Sequence, residues 1–406
     1  MSISRTNTLR MKKISTLLSL VLLSFALPAQ NSWLQESNLP GSGRFAAFAF
    51  TADSAAFVGG GQTSSGYTAD MWRYNPSTDT WSQVAAFAGG ARYAATATGM
   101  GDKGYVGLGF DGNYYNDWWE YDAPSNTWTQ LANYIGSARQ GSVAVCIAGK
   151  VYVHGGTAGS TYLTSTHVYD TTNNAWTPKA SLPALGRLYP AAFALNGNMY
   201  IVGGAYSLTN MSDETWEFNP VTNGWLPKAN YGGGVRGLMS GFNIFDRGFA
   251  GGGTADGTLH SNSWWSFDPI GNSWTSIANM PGPARKAAVS FAVGGYGYVA
   301  TGYSDSSFYA TDVWEYAPID VSVPENEAVK TVFSYDAQQN SLLIRSGAGG
   351  QAQLDLYDLN GKRCFSAQLQ LNGQHQWKTL PVLPAGVYVV ALQGEVKAGG
   401  KIIVTK

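Results

Sequence analysis

The sequence predicts an all-β chain: a six-bladed β-propeller closed by its own N-terminal strand, followed by a small β-sandwich. Three observations carry this. Tryptophans recur at Trp33, Trp81, Trp128, Trp176, Trp225 and Trp274, at intervals of 48, 47, 48, 49 and 49 residues. An arginine follows each at a fixed offset of 11: Arg44, Arg92, Arg139, Arg187, Arg236 and Arg285. Then, 16 to 17 residues beyond each arginine, comes a glycine-marked strand end: Gly60-Gly61, Leu108-Gly109, Gly155-Gly156, Gly203-Gly204, Gly252-Gly253 and Thr301-Gly302. A register of this length, held through the chain, is the mark of repeated supersecondary units.

Each unit reads as four antiparallel strands. Strand a follows the arginine and strand b ends at the glycines, joined by a tight turn such as Asn196-Gly197 in "PAAFALNGNMYIVGG". Strand c carries W-x-Y or its variants, and strand d carries the closing tryptophan. The c–d pairs are "WRYNPSTDTW", "WEYDAPSNTW", "HVYDTTNNAW", "WEFNPVTNGW" and "WWSFDPIGNSW". Their Asn, Asp, Pro and Gly residues preset φ or bond back to the local backbone, which makes hairpins. Large aromatics fit pleated, half-buried surfaces, so the closing tryptophans and Trp72, Trp119, Trp216, Trp265 and Trp314 are expected between sheets. The sixth c-strand, "VWEYAP", has no closing tryptophan after it, and Trp33 is the spare. The segment around Trp33 is therefore expected to complete blade six, leaving no unpaired edge in the ring.

Flanking segments differ in composition. In residues 1–29, Arg5, Arg10, Lys12 and Lys13 precede "ISTLLSLVLLSFALPA", the pattern of a secretory signal peptide cut after Ala29. A start at Met11 would serve equally. The propeller is expected over 30–318. Residues 319–330 are polar and acidic, a linker, and 331–406 alternate as short strands of a sandwich. A net charge of −1 with 13% charged residues argues against nucleic acid or an anionic membrane as partner, because both call for a basic face. No transmembrane segment is expected after signal cleavage. The two cysteines, Cys146 and Cys364, fall in different domains, and no Cys/His spacing suggests zinc. Cys146 reads as a small buried hydrophobe. No metal or cofactor is expected.

The arginine-led first strand, "VYVHGG", "MYIVGG" and "WxY(D/N)P…W" resemble the kelch repeat over about residues 31–318. Leu108 and Thr301 replace the first glycine of their blades, and His167 replaces a tryptophan. Separately, "LDLYDLNGKRCFS", "LPAGVYVV" and "GKIIVTK" resemble the type A sorting domain of the type IX secretion system, over about Leu354–Lys406. That resemblance implies a Gram-negative source among the Bacteroidota and recognition of residues 331–406 by the secretion machinery. It further implies export to the outer surface or medium, usually with removal of the domain. The family's usual Asn-Pro near the domain start is absent, "FSYDAQQN" standing there instead.

Antiparallel order places the d–a and b–c connections on one side of the ring. The b–c intervals carry nearly all length variation, at 11, 10, 11, 12, 12 and 12 residues, so that face is the expected site. Two readings of the arginines stand side by side. Six guanidiniums could ring the axial opening and bind carboxylate or sulfate, or each could be a blade-building part satisfying local carbonyls. Residues that break the symmetry follow the arginines, namely Phe45, Tyr93, Gln140, Leu188, Gly237 and Lys286. In the b–c loops they are Tyr67, Asp111, Tyr114, Tyr115, Tyr162, Tyr206, His260 and Tyr309. Aromatics beside Asp and Asn suit a sugar-binding surface. The expected ligand-binding set is the six arginines with Tyr93, Asp111, Tyr114, Tyr115, Tyr162 and Tyr206. The expected function is a secreted or cell-surface module binding a glycan or an extracellular protein. The alternative is an enzyme on an acidic sugar, like the kelch sialic-acid epimerase, or an oxidase of the galactose oxidase type. The propeller offers no acid–base pair to single out, and its histidines, His154, His167 and His260, are not expected to converge.

Overall fold

The computed structural model describes residues 32–207, 209–304, 308–318, 332–336, 340–345, 349–358, 361–372, 375–394 and 398–404. The expected signal peptide and the linker at 319–330 lie outside these residues. Six four-stranded antiparallel sheets make the blades. Blade 1, for example, pairs Phe48–Ala52, Ala55–Gly59, Met71–Asn75 and Thr80–Val84 in sequence order. Blade 6 takes its first three strands from Val289–Val293, Tyr296–Ala300 and Val313–Ala317, and its fourth from Ser32–Glu36. Trp33 stands opposite Tyr316 in that register. The N-terminal strand closes the ring.

The hairpin chemistry repeats. An Asn or Asp ending strand c accepts from the backbone two or three residues on, as Asn75 from Ser77 and Asn219 from Val221. The residue two before the closing tryptophan is left-handed: Asp79, Asn126, Asn174, Asn223 and Asn272 have φ of 45–55°, a region that Asn and Asp tolerate. Their side-chain oxygens then accept the N–H of Ser37, Ala85, Ala132, Ala180 and Ala229 in the adjoining blade. Each closing tryptophan donates its indole N–H to a loop carbonyl of that neighbour, from Trp33 to Ala278 at 2.8 Å around to Trp274 and Ala229 at 3.1 Å. One turn therefore makes a hairpin and joins two blades.

Six apolar clusters fill the six gaps between neighbouring blades. Their centres are Tyr74, Tyr121, Tyr169, Phe218, Phe267 and Tyr316, all buried, each two residues past the first aromatic of its c-strand motif. The expected tryptophans line these gaps but are half-buried, apart from the buried Trp176. Strand a faces the axis with small residues, among them Ala49, Ala97, Ala144 and Ala192, because six strands converge there. The C-terminal strands form a three-stranded and a four-stranded sheet around a core that includes Leu342, Ile344, Leu354, Leu356 and Val390. This is a small sandwich.

Two expectations need correction. The arginines do not begin strand a: in blade 1 Arg44 precedes Phe48 by four residues. A left-handed residue intervenes at Ala46, Ala94, Gly141, Tyr189, Leu238 and Ala287, with φ of 48–63°. This kink turns the chain from the face of the ring down into the blade. Nor is Cys146 a core residue. It is half-buried and lines the axial cavity, where burial still pushes its thiol up to about 11.

Candidate functional site

The d–a and b–c connections form a crown of short ladders. Arg44–Phe45 pairs with Gln62–Thr63, and Arg285–Lys286 with Tyr303–Ser304. The other blades make the same link by single bridges, Tyr93 with Phe110, Gln140 with Thr157, Leu188 with Ala205 and Gly237 with Thr254. Each b–c loop then reaches the next blade, as where Tyr115 bridges Arg139. Every arginine carbonyl accepts an N–H from the preceding blade's second glycine at 2.7–2.9 Å, and Gly302 to Arg44 completes the circuit. The crown is held by backbone hydrogen bonds.

Within it the arginines take the blade-building role. Arg44, Arg92, Arg139, Arg187 and Arg285 are at most 1% exposed. Their Nη1 donates to the carbonyl sixteen residues on: Gly60, Leu108, Gly155, Gly203 and Thr301, at 2.9–3.2 Å. Four are neutralised by a carboxylate at the foot of strand c: Arg44 by Asp70, Arg92 by Asp117, Arg187 by Glu214 and Arg285 by Asp312. The same carboxylates accept from the indoles of Trp72, Trp119, Trp216 and Trp314. Burial alone would raise the Asp70 carboxyl, but hydrogen bonds from Arg44, Thr68 and Trp72 bring it down to about 2. The expected ring of guanidiniums around the axial opening is therefore corrected. The groups point into the blades because each needs a partner for charge that burial would otherwise strand. Arg236 alone is half-exposed, its Nη1 on the Val235 carbonyl.

The four acids were missed in the sequence reading, although each stands two residues before a c-strand tryptophan. Serine occupies that position in blades 3 and 5, at Ser165 and Ser263, which interrupts the pattern.

Aromatic residues converge instead. Tyr93 stacks on Tyr67, with centroids 5.4 Å apart and planes within 8°. Phe45 joins Tyr93 at 5.9 Å and stacks on Tyr309 at 5.8 Å. Tyr303, also missed, adds to Phe45 and Tyr309 at 6.0 and 5.5 Å, and Phe110 links Tyr93 to Tyr114. The result is a continuous aromatic arc over blades 6, 1 and 2. Tyr115 caps the Arg92 guanidinium at 3.7 Å and donates to Asp111 at 2.7 Å. The Tyr115 bond holds the Asp111 carboxyl below its usual range. Tyr162 and Tyr206 stand apart from the arc, on the loops of blades 3 and 4. Around the crown Tyr67, Ile135, Leu185, Tyr206, Val235, Leu259 and Phe308 are exposed, all on d–a or b–c connections.

An axial cavity of about 830 Å³ opens on the opposite face, between the a–b turns. Thr51, Thr98, Asn243, Ser290, Asp53 and Asp102 line it among alanines and phenylalanines. His154 and His167 lie in blade 3 with rings on opposite faces of the sheet. His154 meets Trp225 and His167 meets Tyr134. His260 is in the crown, 6.1 Å from Tyr303. Among the described residues no three His, Cys, Asp or Glu side chains gather as a metal site would need.

Fold and crown together define a β-propeller of kelch-like type, a class that supports binding and interaction. The chain matches the Attractin/LZTR1 beta-propeller family over residues 19–205. Among solved structures 832 chains match. One is the structure of YjhT, 16% identical, with a TM-score of 0.59 over 68% of this chain and 96% of that one. At that identity the likeness is one of fold. No curated protein matches.

Proposed function

We propose that the chain is an exported binding module whose contact surface is the d–a/b–c crown, centred on the aromatic arc, and whose ligand is a neutral glycan. The observation that carries this is the arc itself. Tyr67, Tyr93, Phe45 and Tyr309 form a connected run of rings on a hydrogen-bonded frame, beside Gln140 and Asp111. Flat apolar faces stack on sugar rings while neighbouring polar groups meet hydroxyls. Neutrality follows from the arc itself, whose rings carry no charge, and from the guanidiniums beside it: Arg44, Arg92 and Arg285 already hold carboxylates. The exposed aliphatic residues around the rest of the crown are compatible with a protein partner, the other outcome of the test.

Export rests on the basic-then-apolar N-terminal segment and on the resemblance of residues 354–406 to a type IX sorting domain. The reading places the protein at the outer surface of its cell or in the medium.

The test is an array of neutral glycans, acidic glycans and peptides probed with the full chain. Neutral glycan binding that weakens in Tyr67→Ala and Tyr309→Ala supports the reading. Absence of any neutral glycan binding that these variants weaken overturns it, and peptide binding lost in them would transfer the crown to a protein ligand.

A further inference from the structure

Comparison of the six blades isolates one whose chemistry is incomplete. In blades 1, 2, 4 and 6 the arginine meets a carboxylate that also accepts an indole N–H. Blades 3 and 5 have lost the acid, to Ser165 and Ser263. Blade 5 responds simply: Arg236 is half-exposed and bonds a surface carbonyl. Blade 3 does not. Arg139 stays 1% exposed, and among the described residues no carboxylate lies within ion-pair distance of it.

The contacts that Arg139 does make leave part of the guanidinium unused. Nε donates to Ser137 O at 2.9 Å, and Nη1 to Gly155 O at 2.9 Å and Ser165 Oγ at 3.0 Å. Nη2 has no hydrogen bond among the described residues. Tyr134 lies under the guanidinium at 4.8 Å, but blade 5 has Tyr231 at the equivalent position, so the ring alone does not keep the cation inside. An unpaired buried cation is costly.

Blade 3 also carries the chain's one exchange of the c-strand tryptophan for histidine. His167 Nδ1 bonds the Tyr134 hydroxyl at 2.7 Å. With the hydroxyl donating, the neutral ring carries its proton on Nε2, and its Cε1 edge lies toward Gly136, where blades 1 and 6 place the indole N–H. Imidazole is smaller than indole, which leaves more room. Access is present too. The carboxylates of the other four blades have side-chain exposures of 24, 16, 45 and 16%, so this position is reachable from solvent.

We propose that blade 3 binds a carboxylate-sized monoanion beside Arg139, Ser165 and His167, where blades 1, 2, 4 and 6 place their own carboxylates. The site is separate from the aromatic arc, and neither reading depends on the other. A free halide or formate and the carboxylate of a larger sugar acid share the required chemistry.

The test uses the full chain. Crystals soaked in bromide should show an anomalous peak beside Arg139 Nη2. At fixed ionic strength the melting temperature should rise saturably, by about 2–4 °C, when a bulky organic sulfonate is replaced by chloride or formate. Ser165→Asp supplies the carboxylate from the chain itself. It should abolish both the peak and the anion dependence while melting at least as high as the saturated wild type. Displacement of bromide by glucuronate as well as by formate would assign the site to a carboxylate-bearing ligand, and displacement by formate alone to a free ion. Absence of bromide at Arg139, with a melting temperature indifferent to the anion, overturns the proposal. The wild-type arms stand even where Ser165→Asp fails to fold.

Discussion

Arg285 and Asp312 meet through two contacts of 2.6 Å, Nη1 to Oδ1 and Nη2 to Oδ2, with the guanidinium almost wholly buried. Removing the acid would leave a buried charge without a partner, whereas Ser263 shows what a blade looks like without one. Asp312→Ala is therefore expected to destabilise the propeller by about 3 kcal/mol, and Ser263→Ala by less than ~0.5 kcal/mol, measured by denaturant unfolding. Acidity acts with two signs. Asp70 is held at about 2, so its contribution is present above the ordinary carboxylate range and lost as pH falls toward 2. Glu36 is opposite: burial first, then the charges of Glu315 and Asp79, push it up to about 7 from 4.5. The folded chain then holds a proton that the unfolded chain releases, and stability declines as pH rises from about 4.5 to 7. Glu36→Gln should leave the unfolding midpoint unchanged at pH 4 and raise it at pH 8. Solvent screening of this half-buried group limits the gain to about 1 kcal/mol. A midpoint equally raised at both pH values would remove the carboxyl from the account. The arginines were legible in the sequence because they recur at a fixed offset. The blade-building reading stood beside the axial ring in the sequence; the carboxylates that decide between them did not, because they are absent from two blades and so broke the repeat.

At the level of elements, Ser32–Glu36 carries the most weight for its size. Among the described residues it is the one outer strand supplied from the far end of the propeller, and Trp33 packs against Trp264 and Tyr316 at 5.4 and 5.0 Å. Trp33→Ala should cost about 3–5 kcal/mol and loosen blade 6 first. Hydrogen exchange would show this as faster exchange in Val313–Ala317 than in the strands of blade 3, while uniform acceleration would argue against a local seam. This closure was readable from a count: six c-strand motifs, five closing tryptophans after them, and one spare tryptophan at the start. The four long strands of each blade were readable too, since their turns carry Asn-Gly, Asp and Pro. The crown ladders were not. Two-residue pairs such as Arg44–Phe45 with Gln62–Thr63 are too short to show alternation, and the left-handed kink occurs at alanine in three blades, where composition signals nothing.

For the whole molecule, the two faces of the ring differ in construction. One has a cavity of about 830 Å³ between turns, lined by alanines, phenylalanines and scattered polar groups that include Asp53 and Asp102. The other has a hydrogen-bonded crown that presents stacked aromatics on one side and scattered aliphatic residues on the other. Loop-length variation singled out this face, and Tyr93, Tyr114 and Asp111, candidates from the sequence, lie in or beside the arc. That Tyr162 and Tyr206 stand apart could not be read from spacing, because each occupies its own blade at an equivalent loop position. Which loop tyrosines touch depends on neighbours such as Phe45 and Tyr303, set by ring geometry and not by chain order. The most direct measurement is a calorimetric titration of the full chain with the strongest neutral glycan from the array, repeated on Tyr67→Ala with its unfolding midpoint checked. The account predicts an unchanged midpoint and an affinity at least about tenfold weaker, some 1.4 kcal/mol, with little dependence on salt. Unchanged affinity in the folded variant, or binding that collapses with salt, would contradict an aromatic, charge-neutral crown as the site.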